Sequence, residues 1–316
     1  MKILVTIPVN EKQKQVLEEA SQGATFIYQK AADLTASELG EIEVVVGQLL
    51  TEQPAQMPAL KLLQTDSAGV DRYLAPGVLP DQVILANATG AYGKSVSEHM
   101  FAMLMTLQKK LELYRDQQFR GAWNDLGEVM TLSRSRVAVV GIGDIGKRFA
   151  GFCKAFGGAV IGVRKDKSKS VPEVDGIYDM EEFMEKRGEF DVIISFLPHT
   201  PETIGIYNRE FFKGLKKTAI FMNGGRGTAV VQEDLLAALE AGEFGQAALD
   251  VTTPEPLPAD HPLWQEARVL LTPHVSGQFH LPETLDIITE IAAANIRSFQ
   301  KGDKLKNQID RSKGYA

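Results

Sequence analysis

The stretch 137–165, VAVVGIGDIGKRFAGFCKAFGGAVIGVRK, decides how the chain is read. A short apolar run leads into Gly141-x-Gly143-x-x-Gly146, a helical pattern follows, and a second apolar run, AVIGV, comes after it. A glycine triplet alone is weak evidence. Between a strand and a helix it has the context that a dinucleotide-binding turn requires. Gly141 allows the tight turn, Gly143 lets the backbone approach a pyrophosphate, and Gly146 lets helix and strand pack closely. The helix amino terminus offers N–H groups and a partial positive charge to phosphates. Gly141, Gly143, Asp144, Ile145 and Gly146 are therefore the cofactor-binding candidates of this turn.

The end of the second run selects the dinucleotide. An acid there would bond the ribose hydroxyls of NAD and repel a 2′-phosphate. This chain has Arg164 and Lys165 instead, with Asp166 just beyond. Two cations attract a 2′-phosphate, so the expectation is NADP, with NADPH preferred over NADH.

The same alternation extends outward. KILVTI, EVVVG, LKLLQT and QVILAN read as strands in the first hundred residues. RVAVVG, AVIGVR, DVIISFLP, TAIFMN, QAALDV and RVLLTPH follow later. Near-continuous apolar runs separated by helical segments are the mark of parallel strands covered on both faces. The spacing from Ser95 to Phe119 predicts one long helix without Gly or Pro, a candidate bridge between domains, and LPETLDIITEIAAANIRSFQKG predicts a last helix. The expected fold class is α/β, with two doubly wound parallel-sheet domains. A dinucleotide-binding domain of the Rossmann type, 97–274, is inserted into a discontinuous substrate domain, 1–96 and 275–316.

Bulk properties narrow the classes. The chain has 316 residues, 44% hydrophobic and 24% charged, which suits a globular protein of two domains. Its net charge of −7 argues against a broad nucleic-acid-binding face. Cys153 is the single cysteine, so neither an internal disulfide nor a multi-thiolate metal site can form. No ligand spacing for a metal is recognisable. The opening MKILVTIPVN lacks the apolar core of a signal peptide, and no run is long enough to span a bilayer. A cytoplasmic location is expected, with no membrane partner.

Three polar residues stand beyond three of the later strands: Arg226 in FMNGGRGTAV, Glu255 in LDVTTPEPLPADHPLW, and His274 in RVLLTPHVSG. Ligands of open parallel sheets bind at the carboxyl ends of strands, where such residues can converge. A guanidinium fork matches a carboxylate, and the glycines around Arg226 are expected to leave room for substrate and cofactor. A histidine titrating near neutrality can exchange a proton, and a carboxylate on its other nitrogen fixes the tautomer and favours the protonated form.

With these residues in view, the chain resembles the D-isomer-specific 2-hydroxyacid dehydrogenase family. MNGGRGTAVVQEDLLAAL, LDVTTPEPLPADHPLW, LLTPHVSGQ, SAGVDRY and SVSEHMFAML carry the resemblance, in the family's order. SAGVD and the Arg in GVRK look most like its glyoxylate/hydroxypyruvate reductase branch. The resemblance implies His274 as general acid in 2-keto acid reduction to the D-2-hydroxy acid, Glu255 orienting it, and Arg226 binding the substrate carboxylate. It implies that Ala68, Gly69 and Val70 hold that carboxylate through backbone N–H groups. Asp250 would contact the nicotinamide amide, Pro198 and Thr203 would line the cofactor groove, and Ser276 and Gly277 would complete it. A homodimer joined through the long-helix region is also implied. His99 reads as structural. Two rivals remain open here. One is a non-enzymatic dinucleotide sensor on the same fold. The other is an S-adenosylmethionine methyltransferase, which normally wants an acid where Arg164 stands.

Overall fold

The computed structural model describes residues 1–312. The chain forms two compact units: Met1–Tyr92 together with the segment from Gln278 onward, and Gly93–Gly277. The sequence expectation put these cuts at about 96 and 275.

The first unit is a parallel five-stranded sheet. Its strands are β1 (Lys2–Val5), β2 (Thr25–Tyr28), β3 (Val44–Val46), β4 (Leu62–Gln64) and β5 (Ile84–Ala86), in the order β2-β1-β3-β4-β5. Three helices, α1 (Glu11–Glu19), α2 (Ala36–Gly40) and α3 (Asp71–Leu74), lie between strands. The residues Val44–Val46 and Leu62–Gln64 are buried throughout, as strands covered on both faces must be. Asn10 caps α1 and Thr35 caps α2 in reciprocal capping boxes with Gln13 and Glu38.

The second unit holds a parallel seven-stranded sheet. Its strands are β6 (Arg136–Val140), β7 (Ala159–Val163), β8 (Gly176–Tyr178), β9 (Val192–Ser195), β10 (Ile220–Asn223), β11 (Gln246–Leu249) and β12 (Val269–Leu271). The order is β12-β11-β10-β9-β6-β7-β8, so the strand order reverses between β6 and β9. Its helices are α4 (Gly93–Lys109), α5 (Leu111–Phe119), α6 (Asp144–Ala155), α7 (Met180–Lys186), α8 (Arg209–Lys213) and α9 (Gln232–Glu240). One core gathers Phe183, Phe190, Tyr207, Phe211, Phe212 and Phe221 on one face of the sheet. The last helix, α10 (Pro282–Lys301), packs on α1 and β4 in the first unit. Two parallel-sheet α/β units were expected and are found.

Three differences have physical reasons. The expected long helix is two: α4 begins at Gly93, and Lys110 breaks the run with a left-handed backbone, φ +57°. Helix α5 buries none of its residues, so no packed face holds it in line with α4. The sheet-edge strands β2 and β8 were not expected from sequence; both are only partly buried and lack the continuous apolar run of a central strand. Among the described residues no helix is long and apolar enough to cross a membrane.

Candidate active site

All the loops that matter in the second unit leave the carboxyl ends of its strands. The first is the glycine turn between β6 and α6, at the point where strand order reverses. Gly141 has φ +92°, and a Cβ there would press on the Phe196 backbone at 3.0 Å. A Cβ at Gly146 would lie 2.4 Å from the Gly141 carbonyl oxygen, so helix and turn touch only because it is absent. A Cβ at Gly143 would meet nothing within 4 Å. Gly143 is the N-cap of α6 and brings no side chain to the first-turn N–H groups. An open space over uncapped helix amides fits a pyrophosphate. The Asp144 carboxylate does not occupy that space: Oδ1 pairs with Arg148 Nε at 3.4 Å, and Oδ2 lies against Gly93.

Beyond β7, the Arg164 N–H donates to the Tyr178 carbonyl at 3.0 Å, which fixes the backbone of the cationic pair. Lys165 is exposed. Asp166 is turned into its own loop: it accepts from Ser168 N at 3.0 Å and from Ser168 Oγ at 2.5 Å, and those bonds hold its carboxyl below the usual range. The nearest acid is thus engaged locally. After β9, Thr203 Oγ1 donates to the Pro198 carbonyl at 2.7 Å, so this hydroxyl shapes the loop that carries Pro198. His199 Nδ1 meets Thr228 Oγ1 at 2.7 Å and ties that loop to the next one.

The next loop, after β10, carries Arg226. Asn223 is fully buried and latches the turn. Its Nδ2 donates to the Arg226 carbonyl at 2.9 Å, and its Oδ1 accepts from Gly225 N at 3.1 Å. Sequence reasoning passed over Asn223, although Asn before Gly-Gly is a turn signal. The glycines correct an expectation. They do not leave room for a ligand; the protein itself fills it. A Cβ at Gly225 would sit 2.6 Å from the Leu197 carbonyl, and one at Gly227 would sit 1.9 Å from the Thr252 carbonyl. The glycines therefore pack the Arg226 loop against the loops after β9 and β11. Arg226 Nη1 also donates to the Gly225 carbonyl at 2.8 Å.

Asp250, after β11, is 1% exposed. Its Oδ1 accepts from Thr272 Oγ1 at 2.6 Å and from Val275 N at 3.0 Å. Its Oδ2 accepts from Ser276 N at 3.3 Å and from Ser276 Oγ. The carboxylate that the resemblance assigns to the nicotinamide amide is thus committed to the 272–276 loop, and so is the Ser276 hydroxyl. The Asp250 carbonyl accepts from His274 N at 2.7 Å, which helps hold His274 at φ +50°. His99 on α4 reaches the network through Thr272 Oγ1, at 3.1 Å from Nε2.

His274 and Glu255 meet. His274 Nδ1 and Glu255 Oε2 are 2.8 Å apart, and Glu255 Oε1 accepts from Thr252 N at 3.1 Å. The hydrogen bond from Glu255 raises the His274 pKa; burial and the Arg226 charge oppose the rise without cancelling it. Burial alone would raise the Glu255 pKa, but the His274 hydrogen bond, the Thr252 N–H and the charges of His274 and Arg226 outweigh it and lower the value. Both shifts favour the carboxylate–imidazolium form of the pair, and the Arg226 charge acts on both groups. The pair lines a pocket of about 380 Å³ whose apolar residues are Pro256, Leu257, Trp264, Leu271 and Pro273.

Ala68, Gly69 and Val70 belong to the first unit, in the loop between β4 and α3. Ser67 Oγ donates to the Gly69 carbonyl and Asn87 Nδ2 to the Ala68 carbonyl, each at 2.6 Å, so the loop is pinned by its carbonyls. Among the described residues no group of three or more His, Cys, Asp or Glu could hold a metal.

Comparison with known proteins converges on one family. Residues 101–276 match the model described as D-isomer specific 2-hydroxyacid dehydrogenase, NAD binding domain. A D-isomer specific 2-hydroxyacid dehydrogenase family protein of Aeromonas salmonicida subsp. salmonicida A449 is 30% identical, with a TM-score of 0.89 over 98% of this chain and 99% of that one. An NADPH-dependent glyoxylate/hydroxypyruvate reductase of Sinorhizobium meliloti, solved with NADP and sulfate, is 26% identical, with a TM-score of 0.85 over 99% of each chain. A D-lactate dehydrogenase of Aquifex aeolicus, solved with NAD and lactic acid, is 25% identical, with a TM-score of 0.76 over 96% of each chain. With a parallel-sheet pair of units, a glycine turn shaped for a pyrophosphate and a paired histidine and glutamate at the strand ends, the chain belongs to the D-isomer specific 2-hydroxyacid dehydrogenase family and is an NAD(P)-dependent oxidoreductase.

Proposed function

We infer that the protein reduces a small 2-keto acid of the glyoxylate or hydroxypyruvate type to the D-2-hydroxy acid, with NADPH preferred over NADH. The observation that carries this reading is the 2.8 Å contact between His274 Nδ1 and Glu255 Oε2 beside the Arg226 loop. The first unit serves as substrate domain and the second as dinucleotide-binding domain.

Arg226 holds the substrate carboxylate through its guanidinium fork, and the N–H groups of Ala68, Gly69 and Val70 are assigned to the same carboxylate. His274 meets Glu255 through Nδ1, and Nε2 is the ring nitrogen assigned to donate a proton to the keto oxygen. A reduced nicotinamide, when bound, supplies the hydride to C2. As the C=O π bond opens, negative charge develops on oxygen; the imidazolium and the guanidinium stabilise it, and the His274 proton completes the hydroxyl. His274 ends neutral and Glu255 stays ionised. The turn Gly141–Gly146 cradles the pyrophosphate. Arg164 and Lys165 take the 2′-phosphate, and each charge-assisted hydrogen bond there is worth about 1.5–3 kcal/mol. Pro198, Thr203, Asp250, Ser276 and Gly277 shape the nicotinamide side of the groove. Asp250 does so by holding the His274 loop.

A homodimer is part of this reading. Leu111, Phe119, Trp123 and Val129, on α5 and the segment after it, are exposed, Trp123 completely. Clustered exposed apolar side chains mark an interaction surface, and light scattering at varied concentration tests it. For the activity, the deciding experiment is oxidation of NADPH and of NADH with glyoxylate, hydroxypyruvate and bulkier 2-keto acids. Turnover with NADPH ahead of NADH is expected. Tight cofactor binding without turnover on any acid would favour the dinucleotide-sensing alternative.

A further inference from the structure

The loop that carries Glu255 is poor in backbone donors. Residues 252–258, TTPEPLP, include three prolines, which have no N–H to give. The first two N–H groups of the loop go to side chains. Thr252 N donates to Glu255 Oε1 at 3.1 Å, and Thr253 N donates to Gln232 Oε1 at 2.9 Å. Gln232 Nε2 donates back to the Thr253 carbonyl at 2.8 Å. One amide thus takes both backbone polar groups of a residue 21 positions away in sequence.

Gln232 has a firm base. It is the first residue of α9 and only 5% exposed, and Leu235, Ala238 and Leu239 bury the same helix. Thr253 presents a donor and an acceptor to it, which fixes the way the amide points. A side chain with N–H and C=O on one planar group matches both. Gln232 Nε2 also lies 3.3 Å from His261 Nε2. The constraint then runs forward along the loop. The peptide linking Thr252 to Thr253 is held at both ends, its N–H by Gln232 and its carbonyl by close packing on Gly227. Thr252 N meets Glu255 Oε1, and Glu255 Oε2 meets His274 Nδ1 at 2.8 Å.

We propose that Gln232 is a positioning residue for the His274–Glu255 pair: by gripping the Thr253 backbone from the start of α9, it sets where the Glu255 carboxylate stands against the imidazole. The inference rests on the function proposed above. Gln232 acts through Glu255 and not on the substrate.

The direct readout is the titration of His274, followed by NMR of the ring protons and assigned by comparison with His274→Gln. Glu255, Asp250 and Arg226 are the charged groups that act on His274. Gln232→Met exchanges one neutral side chain for another of similar length, so it moves that titration only through geometry. The His274 pKa should fall toward the ordinary histidine value of about 6.5. In steady-state reduction of hydroxypyruvate with NADPH, kcat should fall about 10-fold, the scale of lost neutral hydrogen bonds, with KM little changed. Added to Glu255→Gln, the same substitution should cost little more, because both break one relay. An unmoved titration, a loss confined to KM, or effects of the two substitutions that simply multiply overturns the proposal. So does a lowered unfolding midpoint with the His274 pKa and kcat intact, which would make Gln232 a structural tie alone. If Gln232→Met does not fold, Gln232→Asn takes its place: it keeps the amide but is one methylene short of reaching both Thr253 groups, and the same outcomes are read. If the wild-type protein reduces no 2-keto acid, glyoxylate included, the proposed function has failed instead. The His274 titration needs no substrate and then decides alone: a fall in the variant upholds the positioning role, and no shift rejects it.

Discussion

Asp250 and Asp66 follow strands of two different parallel sheets, and both are almost wholly buried. Asp250 spends its carboxylate on Thr272, Val275 and Ser276, donors of its own unit. Asp66 leaves Oδ1 without a partner. The contrast teaches a division of labour between two similar frameworks. In the second unit, the strand-end loops are bonded and packed to one another, which fixes Arg226, Glu255 and His274, the groups proposed to do the chemistry. In the first unit, the strand-end carboxylate keeps one buried oxygen without a hydrogen-bond donor among the described residues.

The largest test of the fixed side is His274→Ala. Loss of the general acid should lower kcat by roughly 10²–10⁴-fold in a folded protein, read by steady-state kinetics with circular dichroism as the folding control. Full activity there would falsify the assignment of His274. Arg226→Lys keeps the charge and loses the planar fork, so kcat/KM should fall by about 10- to 100-fold. Near-normal kinetics would break the bidentate assignment. Gly227→Ala tests the packing itself. Its Cβ would lie 1.9 Å from the Thr252 carbonyl, and chemical denaturation should show a loss of about 1–3 kcal/mol, the usual scale of overpacking. An unchanged unfolding midpoint would mean that the loops are not held by that contact.

Two smaller effects sharpen the picture. Replacing Arg164 and Lys165 by Ser should reduce the NADPH-over-NADH ratio about tenfold or more, the scale of one lost charge-assisted bond; an unchanged ratio would remove both from the 2′-phosphate site. The pH profile tests the His274–Glu255 pair. In the proposed reduction His274 is the proton donor, so kcat/KM should fall as pH rises through a pKa above the ordinary histidine value of about 6.5. Glu255→Gln removes the main cause of the raised pKa, and that limb should move to lower pH. The same signs govern stability. The His274 contribution is complete below the ordinary histidine value and is lost as pH rises through the raised one. The Glu255 contribution is complete above the ordinary glutamate value and is lost as pH falls through the lowered one.

Much of this was legible in sequence because it follows from local rules. Gly141, Gly143 and Gly146 lie between an apolar run and a helical pattern, and Arg226, Glu255 and His274 each follow a strand that reads as buried. What escaped depends on contacts distant in sequence. Lys110 carries an ordinary side chain, and nothing local announces its left-handed backbone. Strands β2 and β8 sit at sheet edges, where partial burial erases the apolar run. The glycines of 224–227 read as empty space, and only the fold brings Leu197 and Thr252 against them. Asp66 is one acid among many until its burial and its missing partner are seen together.

The Cβ-free contact between Gly227 and Thr252 has an implication for re-engineering. A library that varies residues 224–227 and their neighbours would mostly yield destabilised chains, because the Arg226 and Glu255 loops interlock. Variation at Gln48, Gln53 and Arg72 falls on another sheet and leaves that interlock intact. Substitutions in one half of the polypeptide therefore need not disturb the loop packing of the other.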